Sequence, residues 1–435
     1  MGARGTNMRV FVAGLWHLGC VTAACLAKSR HEIIAYDANS EIIQALHRGQ
    51  SPIFESGLDE LLNSGRATGK LTYTSLASDV KNADVVWVTY DTPVDENDIA
   101  DVDAIKNEIE TLFSFLADNT LVIISSQIPV GTTRELLDKC KNNFPGKNIN
   151  FACIPENLRL GKAIDVFTHP DRLVVGVQND DVKHTIEKLL SPFTSNLIWM
   201  SIESAEMTKH ALNAFLATSV TFINELAMLC EGAGANAREV ELGLKSDERI
   251  GAKAYLRPGS AIAGGTLARD VNYLIQIGQK QKRDTLLFSA ILESNHAHKQ
   301  WSCRRIKEIL KNLKNKTITT LGLTYKAGTS TLRRSEIIET CQWLAEQGAN
   351  VVAYDPVLTR LPTNLKSFIE LKSSIEQALC GADAVVIATD YPQFAELTAD
   401  NLLANINHPV VFDPSGFLFK KLSNDKRIQY FSVGI

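Results

Sequence analysis

The chain has 435 residues, 45% hydrophobic and 22% charged, with a formal net charge of −4 at pH 7. That length suits two or three domains of roughly 100–200 residues each, and the slightly acidic balance excludes a broad polyanion-binding surface. Uninterrupted apolar runs such as 121–126 fall far short of the roughly 20 residues of a membrane span, and eight cysteines without CxxC spacing argue against a zinc site or disulfide framework and for a reducing cytoplasm.

No signal-peptide pattern opens the chain. Met1-Gly2-Ala3-Arg4-Gly5-Thr6 fits a myristoylation pattern, but the expectation is a short disordered leader before Met8. Residues 8–14 then read as an apolar strand, 19–30 as a helix and 31–37 as a second strand, a βαβ unit. Apolar runs at 84–90, 121–126 and 171–176, with helical patterns between them, predict a parallel sheet covered by helices. From 204 to 234 the pattern becomes one long helix rich in Ala, Leu, Phe and Met. Further helices are predicted around 265–279 and 283–312. At 317 the alternation restarts: strand 317–322, helix 335–347, strand 350–355, and later strands at 384–389 and 410–413. The expected architecture is therefore α/β: two Rossmann-like parallel-sheet domains, 8–203 and 312–435, joined by a long central helix and a helical middle, 204–311.

Gly14-Leu15-Trp16-His17-Leu18-Gly19 lies between the first strand and its helix. A dinucleotide turn normally reads G-x-G-x-x-G. The first glycine makes the turn, the second admits the pyrophosphate and the third lets the helix pack close to the strand. Trp16 replaces the second, so its side chain must point away from phosphates resting on the helix N-terminus. Asp37 ends the second strand, where a carboxylate binds the ribose hydroxyls and repels a 2′-phosphate, favouring NAD over NADP. The alternative is a βαβ unit that binds nothing.

Several segments, in order and spacing, resemble the UDP-glucose/GDP-mannose dehydrogenase family from Met8 to about Gly416. Ser51-Pro52-Ile53-Phe54-Glu55-Ser56-Gly57-Leu58 is similar to P-x-x-E-P-G-L, and Asp91-Thr92-Pro93 to a T-P turn. Ser126-Gln127-Ile128-Pro129-Val130-Gly131-Thr132 is similar to S-T-V-P-V-G-T, and Pro155-Glu156-Asn157-Leu158-Arg159-Leu160-Gly161 to P-E-F-L-R-E-G. Lys209, Asn213 and Asn224 fit K-x-x-x-N with a later N-E, and Asp247-Glu248-Arg249-Ile250-Gly251 fits D-x-R-I-G. Pro258 to Asp270 resembles the loop G-F-G-G-x-C-x-x-K-D; Gly322-Leu323-Thr324-Tyr325-Lys326 with Thr329 and Arg333, then Tyr354-Asp355-Pro356, match two later segments.

The resemblance implies an N-terminal NAD-binding domain, a helical core that forms a homodimer, and a C-terminal domain for a nucleotide sugar, UDP-linked by preference. It implies no nucleic-acid or membrane partner and no metal. Gly14, Trp16, His17, Leu18, Gly19, Asp37, Thr92, Gln127 and Arg333 are its cofactor positions. Asn157, Leu158, Arg249, Gly259, Gly264, Gly265, Tyr325 and Lys326 are its substrate positions, Lys326, Arg333 and Arg249 being the anion binders. Lys209 and Asn213, spaced i, i+4 on one helix face, hold the C6 oxygen as charge develops. Glu156 activates water, and Asp270 orients or assists as a base.

In the family a cysteine traps the C6 aldehyde so that a second oxidation leads, by thioester hydrolysis, to the uronate. Here Thr266 stands at that position. Other departures join it: Arg269 for Lys, Gln127 for Thr, Leu160 for Glu, Asn157 for Phe, and Ala261 and Ala263 for glycines. They concentrate on the thioester half of the reaction. Cys153, three residues before Glu156, reads as a buried structural cysteine. Three readings stay open: a 6-dehydrogenase whose second oxidation is in doubt, an aldehyde-releasing or redox-neutral epimerising enzyme, and a silent nucleotide-sugar binder.

Overall fold

The computed structural model describes residues 7–29, 31–93, 100–263, 265–332 and 335–435. Expectations for the leader Met1–Thr6, Gly264 and Arg333 lie outside the described residues. The chain divides into two compact units, Met1–Ala211 and Leu212–Ile435, with the boundary inside one long helix, Ile202–Ala233.

In the first unit β1 (Arg9–Ala13), β2 (Glu32–Tyr36), β3 (Leu71–Thr74), β4 (Val85–Val88), β5 (Leu121–Ile124), β6 (Asn150–Cys153), β7 (Leu173–Val177) and β8 (Leu197–Met200) form one sheet, ordered β3-β2-β1-β4-β5-β6-β7-β8. The alternation of β1 explains its place. Val10 and Val12 point into one core, Phe11 and Ala13 into the other. A strand buried on both faces must be apolar throughout, as β4 (Val-Val-Trp-Val) and β5 (Leu-Val-Ile-Ile) are. One expectation needs correcting. β7 runs antiparallel to β6, and β8 parallel to β7, so the sheet reverses direction after β6. Hydrophobic periodicity carries no strand direction.

The second unit holds a wholly parallel sheet. Its strands are β9 (Thr317–Leu321), β10 (Asn350–Tyr354), β11 (Glu370–Leu371), β12 (Ala384–Ile387), β13 (Val410–Phe412) and β14 (Gln429–Phe431), ordered β11-β10-β9-β12-β13-β14. This is the doubly wound order of a mononucleotide- or dinucleotide-binding sheet, and the six strands β1–β6 repeat it. In each, the order reverses beside the first strand, and the crevice at that strand's C-terminal end is where ligands bind.

The helical middle differs from expectation at one joint. Where one helix was predicted over 283–312, Gln300 (φ −81°, ψ 2°) separates Leu286–Lys299 from Trp301–Leu310. The sequence reading also missed Ala237–Ser246, whose first turn is capped by the Asn236 side chain accepting from the Arg238 N–H. The 32-residue helix Ile202–Ala233 is long and apolar enough, by length and composition, to cross a bilayer. Its buried Glu206, His210, Asn213 and Asn224 are each hydrogen-bonded to protein, which accounts for it as a core helix.

Candidate active site

The turn after β1 is shaped by two glycines. Gly14 has φ +95°, and a Cβ there would lie 2.6 Å from a ring carbon of Tyr90 and 2.8 Å from its Cα. A Cβ on Gly19 would come 1.8 Å from the Gly14 carbonyl oxygen. No side chain fits either place, so backbone and helix approach as closely as a pyrophosphate site requires. Trp16 is 41% exposed. The helix His17–Ser29 begins directly after it, with Leu18 half-buried in the first turn. Asp37 follows β2 with its carboxylate part-exposed; one oxygen accepts from the Leu15 N–H (2.8 Å) and the other from the Asn39 N–H (2.9 Å).

Glu55, which the sequence reading quoted only as part of a motif, ties this turn to the next loop. Its buried carboxylate meets His17 Nε2 at 2.9 Å and accepts the N–H groups of Gly161 (2.8 Å) and Ala163 (3.0 Å). The signal was visible as an acid among proline and glycine; its partners were not.

The segment after β6 carries Glu156. Its Oε2 accepts the Leu158 N–H (2.8 Å). Lys209 Nζ donates to the Glu156 backbone oxygen (2.7 Å) and to its Oε1 (3.3 Å). These two sequence-predicted catalytic groups are thus in contact within the first unit. They line a narrow cleft with Ser126, Gln127, Cys153 and His210. Thr92 Oγ1 donates to the Gln127 carbonyl (2.6 Å), bringing those two predicted cofactor residues together. Burial, and then the Glu206 carboxylate, push the Cys153 thiol far above its ordinary range. It stays protonated and is no substitute nucleophile. Asn157 follows Glu156, half-buried.

In the second unit Asn213 Nδ2 donates to Asp270 Oδ2, both side chains being buried. Asp270 lies one turn into the helix Thr266–Lys280, whose first residue is the exposed Thr266 and whose N-cap is Gly265. Asn224 holds the preceding loop, accepting from the Gly259 N–H (2.9 Å) and donating to the Ser260 oxygen (3.2 Å). Arg249 is exposed and bidentate on its neighbour Asp247, at 3.0 and 2.7 Å. Lys326 is exposed beyond β9, beside the half-buried Tyr325, whose phenol is raised by burial.

Three consecutive stretches match the UDP-glucose/GDP-mannose dehydrogenase family: its NAD binding domain over residues 8–194, its central domain over 203–297 and its UDP binding domain over 319–420. The chain belongs to that family. It is 31% identical over 431 residues to UDP-glucose 6-dehydrogenase YwqF of Bacillus subtilis (strain 168), covering 98% of each chain. Among solved structures it resembles a UDP-glucose dehydrogenase from Pyrobaculum islandicum (26% identity, 95% of each chain, TM-score 0.84). It also resembles a UDP-D-ManNAc dehydrogenase from Pyrococcus horikoshii (25% identity, 98% of this chain and 99% of that one, TM-score 0.86).

The fold expected from the family resemblance, two α/β domains, is the fold observed. The family's cofactor is NAD, and the first unit fits it. Gly14 and Gly19 let the backbone and the helix approach closely, with Trp16 exposed between them, a helix N-terminus follows at once, and Asp37 keeps a part-exposed carboxylate for the ribose. The protein is an NAD-dependent oxidoreductase of this family.

Proposed function

We propose that this protein oxidises the C6 hydroxyl of a UDP-linked sugar with NAD and stops before the uronate. The UDP-glucose 6-dehydrogenase relatives and the matched UDP binding domain support the substrate class. One observation carries the chemistry: the oxyanion donors keep their orienting partners, while the residue at the head of the helix Thr266–Lys280 is an alcohol.

Donor counting shows how the first half works. An ammonium has three N–H donors and a carboxamide two. Lys209 spends two on Glu156, and Asn213 spends one on Asp270. Each keeps one for the C6 oxygen, and i, i+4 spacing aims both from one side of the helix. They stabilise the negative charge that grows there as the hydroxyl proton leaves. Asp270 fixes the amide's orientation. Bound NAD supplies the hydride acceptor. Tyr325, Lys326 and Arg249 take the nucleotide end, and Gly265, at the head of the helix Thr266–Lys280, offers its backbone amide to the sugar. Remote phosphate binding then positions C6.

The second half lacks its nucleophile. An unactivated threonine hydroxyl attacks an aldehyde poorly, and the resulting oxygen ester hydrolyses less readily than a thioester. Cys153, protonated and buried, does not replace it. The product of this reading is the 6-aldehyde. A homodimer through the helical middle, 204–311, is part of the same proposal. Phe215, Phe222 and Leu229 recur every two turns of the long helix and are 70%, 50% and 66% exposed, an apolar stripe suited to a second copy.

Counting NADH per sugar consumed, with NAD and UDP-glucose, tests the proposal. The expected ratio is one, and Thr266→Cys does not raise it to two, because Gln127 and Leu160 also differ. A ratio of two in the parent enzyme refutes the truncated chemistry. An altered sugar with no net NADH identifies an epimerase, and no change across several nucleotide sugars identifies a binding protein.

A further inference from the structure

Glu55 stands between two segments with separate tasks. On one side is His17, the first residue of the helix after the phosphate turn. The first main-chain bond of that helix runs from the Cys20 N–H to the Trp16 oxygen (2.9 Å). The N–H groups of His17, Leu18 and Gly19 therefore have no partner within the helix and are the donors a pyrophosphate takes. On the other side is the segment 156–163. Its start is fixed by Glu156, which receives the Leu158 N–H and Lys209. Its end is fixed by Glu55. Gly161, in the left-handed region at φ +85°, gives its N–H to Oε2 (2.8 Å). Ala163 gives its N–H to Oε1 (3.0 Å) and opens the helix Ala163–Thr168, whose N-cap Lys162 makes no side-chain bond.

Glu55 is itself braced from behind. Its backbone oxygen accepts the Leu58 N–H (3.1 Å) at the head of the helix Leu58–Ala67. Leu58 and Leu62 of that helix share one core with Ala23, Ala24 and Ala27 of the helix His17–Ser29 and with Ala163. The Glu55 side chain is 2% exposed, so water does not simply replace a lost partner. Two of its three partners also meet on one oxygen: His17 Nε2 (2.9 Å) and the Gly161 N–H both reach Oε2. Bonds that share an acceptor inside a buried network respond to one another. What restrains His17 therefore restrains Gly161.

We propose that Glu55 is a positioning residue that couples the two ligands. With the phosphate turn occupied, the head of the helix at His17 is fixed. Glu55 passes that restraint to Gly161 and Ala163, and the segment bearing Glu156, Asn157 and Leu158 is held in the shape that receives the sugar. This rests on the reading that the segment lies against the sugar. Coupling between binding free energies is reciprocal, so cofactor and sugar each tighten the other by the same factor.

The test compares the parent with His17→Phe, His17→Gln and Glu55→Gln. The first readout is amide exchange of the peptide spanning 157–163, without cofactor and with each protein saturated by NAD. NAD should slow exchange in the parent by about fivefold, the lower end of typical couplings. His17→Phe should lose that increment while keeping most of the protection seen without NAD, because Glu55 still accepts both N–H groups. His17→Gln carries an N–H donor that can reach Oε2 and should regain most of it. Glu55→Gln should lose protection in both states. An NAD increment in His17→Phe equal to the parent's, or none in the parent, overturns the proposal and leaves Glu55 a brace of the fold alone. The second readout is the dissociation constant of UDP-glucose with and without NADH, which accepts no hydride and so permits no turnover. NADH should tighten UDP-glucose about fivefold in the parent and not in His17→Phe. The exchange readout needs no sugar, so it decides the role of Glu55 even if UDP-glucose does not bind; absent binding counts against the substrate assignment alone.

Discussion

The two units build the same turn twice and use it differently. After β1, Gly14 takes φ +95° against Tyr90; after β9, Gly322 takes φ +90°, and a Cβ there would lie 2.5 Å from Thr389 Cβ. In both, the next residue gives its N–H to an aspartate at the end of the second strand: Leu15 to Asp37 at 2.8 Å, Leu323 to Asp355 at 2.7 Å. In the first, a helix starts at His17 and Asp37 is part-exposed. In the second, the next helix among the described residues is Glu336–Glu346. Asp355 is 2% exposed and also receives the Thr324 N–H (3.1 Å), the Val357 N–H (3.0 Å) and the Tyr391 hydroxyl (3.2 Å). Strand order and turn therefore create a crevice. An immediate helix N-terminus and an acid with unspent lone pairs make it a dinucleotide site.

The largest effects come from the two glycines. Gly14→Ala and Gly322→Ala each combine a left-handed conformation with a steric clash, costing roughly 2–5 kcal/mol together. Thermal unfolding should register both. Calorimetric titration with NAD should separate them, with binding lost in Gly14→Ala and nearly unchanged in Gly322→Ala. Equal losses of NAD affinity would break the comparison.

How far the sequence spoke follows the same physical line. Runs such as Val85–Val88 and Leu121–Ile124 could be read directly, because burial on both faces leaves little room for polar residues. The reversal at β7 was hidden, since a strand's pattern is the same in either direction. The two-residue β11 and the three-residue β14 are too short to show a period. Asp37 could be read from its spacing after Gly14, and Lys209 with Asn213 from helical spacing. Their partners lie far off in sequence: the Asn213–Asp270 bond spans 57 positions and Glu55 to Gly161 spans 106.

Asp355→Asn probes the closed member of the pair. The amide keeps one acceptor oxygen but turns an NH2 toward donors the carboxylate had satisfied. Leaving a buried N–H unpaired costs about 1–3 kcal/mol. With the Leu323 and Thr324 N–H groups both converging on Oδ2, denaturant titration should show a loss of about 2–4 kcal/mol. NAD affinity should hold. A drop in NAD affinity as large as that of the parallel change at Asp37 would mean the second crevice also serves the cofactor.

Asp37→Asn is the smallest in stability and the most specific in function. The side chain is part-exposed, so water can replace much of what the amide gives up, and the fold should lose no more than about 1 kcal/mol. The ribose hydroxyls lose a charged acceptor, worth about tenfold in NAD affinity. The same change removes the charge that repels a 2′-phosphate, so NADP should bind better than to the parent while NAD binds worse. Dissociation constants for both cofactors, measured on parent and variant, give the ratio directly. If the ratio does not move, the Asp37 carboxylate serves only the Leu15 and Asn39 N–H groups, and the difference between the open and the closed aspartate is one of folding alone.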